Sequence, residues 1–233
     1  MNPANKSMNA KILAIDTATE RCSVALRLGE GACIERAVDT ARAHAEIVLP
    51  MVEEVLREAG VTLGELDAIA YGRGPGAFTG VRIAIGVVQG LAYGTSLPTI
   101  GVSDLAAVAQ QVARQVSKAG EKILVCMDAR MSEVYWGVFE VGDDGLVFPA
   151  SEERVSKPAL IEAQATRAAG TAFGAYPELR AKFANVPIHE GWLPHAREIA
   201  ALAEPAYRAG RGEPATQARP VYLRDQVTFV KGA

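Results

Sequence analysis

The stretch 71–94, YGRGPGAFTGVRIAIGVVQGLAYG, constrains the fold more than any other part of the chain. Gly72, Gly74 and Gly76 surround Pro75, so the backbone must turn sharply where Cβ atoms would clash. From Phe78 onward the spacing predicts a helix over 78–93. That helix carries Gly80, Gly86 and Gly90, with Gly94 just beyond, and each interior glycine costs about 1 kcal/mol against alanine, so some neighbouring element must need its backbone close. Gly86, Gly90 and Gly94 fall on one stripe, while Val81, Ile85, Val88 and Leu91 fill much of the remaining circumference. A helix apolar almost all round is covered on two sides. Arg82, Gln89 and a length of about sixteen residues argue against a membrane span.

The rest of the chain supplies the sheet. Residues 11–16, 22–28 and 32–38 read as three successive strands joined by short turns. The period then switches: over 44–59, Ile47, Met51, Val55 and Ala59 form one apolar row and Val48, Val52 and Leu56 another, with Glu46, Glu53 and Arg57 opposite. Pro50 should bend its first turns. A strand over 67–71 leads into the glycine turn, a strand over 97–102 follows, and Ser103 or Asp104 caps a helix running to about Lys118. The order βββαβαβα indicates an α/β fold with a mixed sheet, and it is also the order of each half of the actin-like ATPase (ribonuclease H-like) fold.

Lys122 to Asp128 then echoes Lys11 to Asp16, which suggests an internal duplication, and Gly142-Asp-Asp-Gly145 marks a hairpin turn. Beyond Pro158, helices are expected over 159–169 and 196–208, and 210–217 reads as a loop. The organisation expected is a flexible extension over 1–9, a first lobe over 10–118 and a reduced second lobe over 119–233. For 233 residues, 49% hydrophobic and 22% charged residues are an ordinary globular balance, and the net charge of −3 leaves no basic footprint for gripping a phosphate backbone unaided. Cys22, Cys33 and Cys126 form no C-x-x-C pair and read as reduced core residues. Without a signal-peptide pattern or a membrane-length apolar run, a cytosolic protein is expected.

Two nucleotide-site candidates stand beside blander readings. The turn could cradle a phosphate through Gly74 and Gly76 with help from Arg73, but it lacks the G-x-x-x-x-G-K-[ST] pattern and Pro75 offers no N–H. Asp16 ends the first strand, where an open α/β sheet places a ligand-binding acid; the alternative, preferred, is an aspartate that satisfies the backbone of the following turn. His44, His189 and His195 show no ligand spacing, and no G-x-S-x-G elbow is present. No cofactor, metal or catalytic residue is expected.

The segment 72–83, GRGPGAFTGVRI, closely resembles the glycine-proline-glycine, phenylalanine-threonine-glycine, valine-arginine signature of the bacterial TsaB (YeaZ) family. ILAIDTAT at 12–19, HAEIVLPM at 44–51 and PVYLR at 220–224 extend the resemblance over nearly the whole chain. It implies a non-catalytic scaffold that pairs with a TsaD-like transferase and a TsaE-like ATPase, so that a threonylcarbamoyl group reaches adenosine 37 of tRNA. Contact with tRNA would come through that complex. The catalytic TsaD relatives carry a His-x-x-x-His pair on the helix of His44, and here the second position is Val48, so neither transfer nor peptidase chemistry is expected. In that family the pairing surface includes the two helices, which implies an interface here of Ile47, Val48, Met51, Val52, Val55, Val81, Ile85, Gly86 and Gly90. A homodimer through the same helices is expected when the partner is absent. The competing reading is a nucleotide-binding phosphotransferase or ATPase that uses Asp16 and the glycine turn.

Overall fold

The computed structural model describes residues 10–29, 31–40 and 42–224; the expected extension over 1–9 lies outside the described residues. The first sheet is built from β1 (Lys11–Asp16), β2 (Arg21–Leu28), β3 (Ala32–Asp39), β4 (Ala68–Gly72) and β5 (Thr99–Val102), in the order β3-β2-β1-β4-β5. The meander β1-β2-β3 is antiparallel, and β4 and β5 join parallel to β1 through helical crossovers. The second sheet repeats the scheme. Its strands β6 (Lys122–Asp128), β7 (Val134–Val141), β8 (Val147–Pro149), β10 (Arg167–Gly170) and β11 (Ile188–Glu190) run in the order β11-β10-β6-β7-β8, with β9 (Arg154–Ser156) also pairing with β7. This twofold mixed-sheet plan is the actin-like arrangement.

Alternation along β1 sends Leu13 and Ile15 to one face and Ile12 and Ala14 to the other, and both faces are buried. The first face is covered by α1 (His44–Ala59) and α2 (Phe78–Thr95). The second face receives α6 (Ala196–Arg208), through Ala196, Ile199, Ala200 and Ala203. Helix α3 (Asp104–Val116) packs instead on the second sheet, where Leu105, Val108 and Val112 meet Ile123, Val125 and Phe139. The two sequence halves thus exchange a helix across a shared middle layer, and Arg114 on α3 bonds the buried carboxylate of Glu198 on α6 at 2.8 Å. A cut at 118 divides the sheets but crosses that layer. The short α4 (Ala172–Ala175) and α5 (Pro177–Lys182) close the far side of the second sheet around Phe173 and Leu179.

The helix expected over 159–169 does not form. Pro158–Leu160 makes one 3-10 turn, and Arg167–Gly170 is the strand β10 between β6 and β11. Alanine-rich propensity yields to pairing with two neighbours. Gly170 takes φ +114°, and a Cβ there would lie 2.2 Å from the Cys126 carbonyl, so glycine is required where β10 leaves the sheet beside β6.

Candidate functional site

Four separated stretches converge at the C-terminal ends of β1 and β4. The β1–β2 turn is pinned by the glycine segment: the Thr17 hydroxyl donates to the Gly80 carbonyl at 2.7 Å, and Ala77 N–H donates to the Ala18 carbonyl at 2.7 Å. A Cβ on Gly80 would stand 2.0 Å from the Thr17 oxygen, and one on Gly76 2.5 Å from the Ala18 oxygen. These glycines exist for backbone-to-backbone approach. From α1, the buried His44 ring donates through Nε2 to the Thr19 carbonyl at 2.9 Å. The tail completes the cluster: Val221 N–H donates to the Arg73 carbonyl at 2.8 Å, Arg219 N–H to the Tyr71 hydroxyl at 3.1 Å, and Gln89 to the Ala218 carbonyl at 2.9 Å. Tyr222 stacks on Phe78 at 5.6 Å and accepts from Arg82, whose guanidinium lies 3.7 Å over the Phe78 ring.

Under this cluster two carboxyl groups face each other. Asp16 and Asp104 are both fully buried. One oxygen of each is anchored, Asp16 Oδ1 by Ala18 N–H at 2.9 Å and Asp104 Oδ2 by Gly74 N–H at 2.5 Å. A Cβ on Gly72 would meet Asp104 Oδ1 at 2.5 Å and Asp16 Oδ1 at 2.6 Å, so only glycine leaves room for the pair. Burial pushes the Asp16 carboxyl up to about 6 and raises Asp104 well above the carboxylate range, with the neighbouring Asp16 charge as the next cause for Asp104. The candidate phosphate-binding residues Asp16, Arg73, Gly74 and Gly76 are therefore neighbours, but the space among them holds Ala18, Asp104 and the tail at Val221. The Gly74–Pro75 peptide is cis.

The outer side of α2 is different. Gly86, Gly90 and Gly94 are exposed, and a Cβ on any of them would meet nothing within 4 Å. Ile83 and Val87 are half-buried beside this strip, Tyr93 is 78% exposed, and Leu49 on α1 is 45% exposed. The result is a low, partly apolar strip with bare helix backbone at its centre.

The sequence profile of the family described as TsaD, tRNA N6-adenosine threonylcarbamoyltransferase, matches residues 38–173. A curated relative from Escherichia coli, named tRNA threonylcarbamoyladenosine biosynthesis protein TsaB, is 39% identical over 229 residues, which is 95% of this chain and 97% of the relative. The solved structure of YeaZ from Pseudomonas aeruginosa superposes with a TM-score of 0.82 at 44% identity, over 92% of this chain and all of that one. This chain belongs to the TsaB (YeaZ) family. Component A of (R)-2-hydroxyglutaryl-CoA dehydratase from Acidaminococcus fermentans superposes at a TM-score of 0.50 and 9% identity, over 87% of this chain and 99% of that one, a likeness of fold alone.

Set on this TsaB-family fold, the residues expected at the pairing surface divide into two groups. Val48, Met51, Val52, Val55, Val81 and Ile85 are buried in the first core with Val24, Ile69 and Tyr71, and Ile47 is half-buried against it. Contrary to the expectation from the sequence, the first six are interior rather than surface, because the apolar stripes of α1 and α2 are consumed in covering the first sheet. Gly86 and Gly90 do reach the surface. Asp104 went unrecognised as a partner of Asp16, because in the sequence it looks like a helix-start residue; Ser103 is the cap, accepting from Ala106 N–H at 3.2 Å. The available signal was a second acidic residue two positions after the end of a strand in the same sheet.

Proposed function

We propose that this TsaB-family protein acts in threonylcarbamoyladenosine formation on tRNA as a non-catalytic partner of a TsaD-like transferase, working with a TsaE-like ATPase. The observation that carries this reading is the contrast between the filled crevice and the open strip. At the strand ends, where a doubly wound sheet would admit a ligand, Asp16 and Asp104 are enclosed and the glycine turn is packed against Thr17 and Ala18. Helix α2 meanwhile keeps three glycines on solvent at a cost of about 1 kcal/mol each relative to alanine, which is explained if a second helix packs close to its backbone. The surface offered to the partner is Gly86, Gly90 and Gly94 with Ile83, Val87 and Tyr93 of the same helix. Alone, the protein covers the strip with a second copy, and the transferase displaces that copy; tRNA is contacted through the complex. The family membership supports the pathway, and the strip supports the mode of action.

The test is reconstitution of tRNA modification with the partner proteins, adding or withholding this chain. Loss of modification on omission, together with no ATP turnover by this chain alone, is the expected result. Tight binding of magnesium–ATP by the isolated chain in calorimetry would instead favour a nucleotide-dependent enzyme.

A further inference from the structure

We infer that Asp16 and Asp104 hold one proton between them at neutral pH, and that this shared proton, rather than a metal ion, closes the crevice at the ends of β1 and β4. The inference is independent of the pairing strip and of any partner. Its basis is a count of oxygens. Each carboxyl has one oxygen bonded to a backbone N–H, from Ala18 and Gly74 respectively, and one that is buried without any partner, Asp16 Oδ2 and Asp104 Oδ1. The two carboxyls meet beside Gly72, where a Cβ would stand 2.5 Å from Asp104 Oδ1 and 2.6 Å from Asp16 Oδ1. Two ionised carboxylates so close, both with no solvent exposure, would repel and leave two buried acceptors empty. A single proton removes one of the two charges and supplies the donor that the pair otherwise lacks.

The surroundings can support one negative charge here. Asp104 occupies the first turn of α3, whose N-terminal dipole favours an anion. The ionisable groups facing the pair from packed elements are His195 at the start of α6, Glu153 before β9, and the Cys22 thiol on β2, which burial pushes up to about 12 and so keeps neutral. His195 is held between Arg21 at 2.7 Å and Glu35 at 3.2 Å, so its ring is already engaged by a cation and a carboxylate. Arg73 follows Gly72 in the chain, but its buried Nε has no partner and is not bonded to either aspartate. Apart from the carboxyl groups themselves, the described residues offer no cluster of three or more histidine, cysteine or acidic side chains for a metal. The two carboxyls are thus the acidic side chains on hand, short of the six or more oxygens that a hard divalent cation takes.

A pair of this kind makes stability depend on pH with a definite sign. Both carboxyls are raised relative to the unfolded value of 3.8, so between that value and the folded values the folded state binds more protons than the unfolded. Stability from this source is fully present below about 4 and falls as pH rises through about 6. It goes on falling until the last proton of the pair leaves.

The experiment is infrared spectroscopy of the full chain labelled with carboxyl-13C aspartate at pH 7.5, beside thermal unfolding from pH 5 to 8.5. One protonated aspartic carboxyl band is expected in the wild type and none in Asp104→Asn. The melting temperature of the wild type should fall across this range relative to that of Asp104→Asn, whose amide supplies a permanent donor. If the variant does not fold, the wild-type band decides alone. No such band at pH 7.5, its persistence in Asp104→Asn, or a matching pH slope in both proteins overturns the inference. So does a rise in wild-type melting temperature on adding magnesium, calcium or potassium chloride at constant ionic strength, which would mean that a cation fills the gap.

Discussion

The β1–β2 turn and the β6–β7 turn occupy matching places in the two sheets and each bonds its aspartate to the N–H two residues on, yet the surroundings hold them differently. In the first, Asp16, Thr17 and Ala18 are buried under the glycine segment, and the backbone is held by contacts with other chain segments. In the second, Arg130, Met131 and Ser132 take φ of 60°, 56° and 58° in succession, a left-handed turn made without glycine, and Met131 is 63% exposed. Asp128, the counterpart of Asp16, spends one oxygen on Arg130 N–H at 2.9 Å and on the Tyr176 hydroxyl at 2.8 Å, which stabilises the turn locally. Arg224 then ties the turn to the tail, donating to Glu133 at 2.5 Å and to the Ala129 carbonyl at 3.1 Å. A duplicated strand order therefore does not duplicate a site. Both turns keep the bond from the aspartate to the N–H two residues on; beyond it the first is held by close backbone packing, the second by the side chains of Tyr176 and Arg224.

That contrast can be broken most strongly at Gly80. Gly80→Ala places a Cβ 2.0 Å from the Thr17 carbonyl oxygen, so the first turn and α2 must separate. A loss of about 3 kcal/mol is expected in urea unfolding, at the upper end of overpacking costs; a loss below about 1 kcal/mol would show that the turn is not held by this contact.

In the second turn, Met131→Val adds a β-branch to a residue already at φ 56°. Destabilisation of about 1–2 kcal/mol is expected, while Met131→Gly should be neutral or slightly stabilising. Equal melting temperatures for the two variants would remove backbone conformation as the governing feature there.

Arg224→Ala tests the tail. Its side chain is mostly buried against Glu133 and Ala129, so the expected cost is about 1 kcal/mol, with faster proteolysis after residue 218 than in the wild type. An unchanged cleavage rate would mean that the contacts at Arg73 and Arg82 hold the tail unaided.

The smallest effect on stability is expected at Gly90, on the same helix as Gly80. With nothing within 4 Å of its Cβ position, Gly90→Leu should leave the fold intact or gain up to about 1 kcal/mol of helix propensity. Light scattering should nevertheless show loss of self-association and of pairing with a TsaD-like transferase. Retention of both would place the pairing surface elsewhere. Val52→Glu cannot serve for this purpose, since Val52 is 2% exposed and the carboxylate would enter the core.

What the sequence determined by itself was local and periodic. Hydrophobic alternation and the 3.6-residue stripes fixed β1, β2, β6, α1, α2 and α6 nearly to the residue, because these elements are long and carry their burial pattern in their own spacing. The glycine segment declared close backbone approach, and the family signature declared kinship. Tertiary structure decided where each apolar face goes. A stripe such as Val48, Met51, Val52 and Val55 looks alike whether it covers a sheet or a partner, and only the position of the first sheet settles that it is interior. It also decided that 167–170 is strand rather than helix, since two neighbouring strands supply hydrogen bonds that no local propensity records. The Asp16–Asp104 pair lies furthest from sequence reach. Its members are far apart in the chain, each has an adequate local explanation, and their chemistry arises only when Gly72 lets them share one dry space.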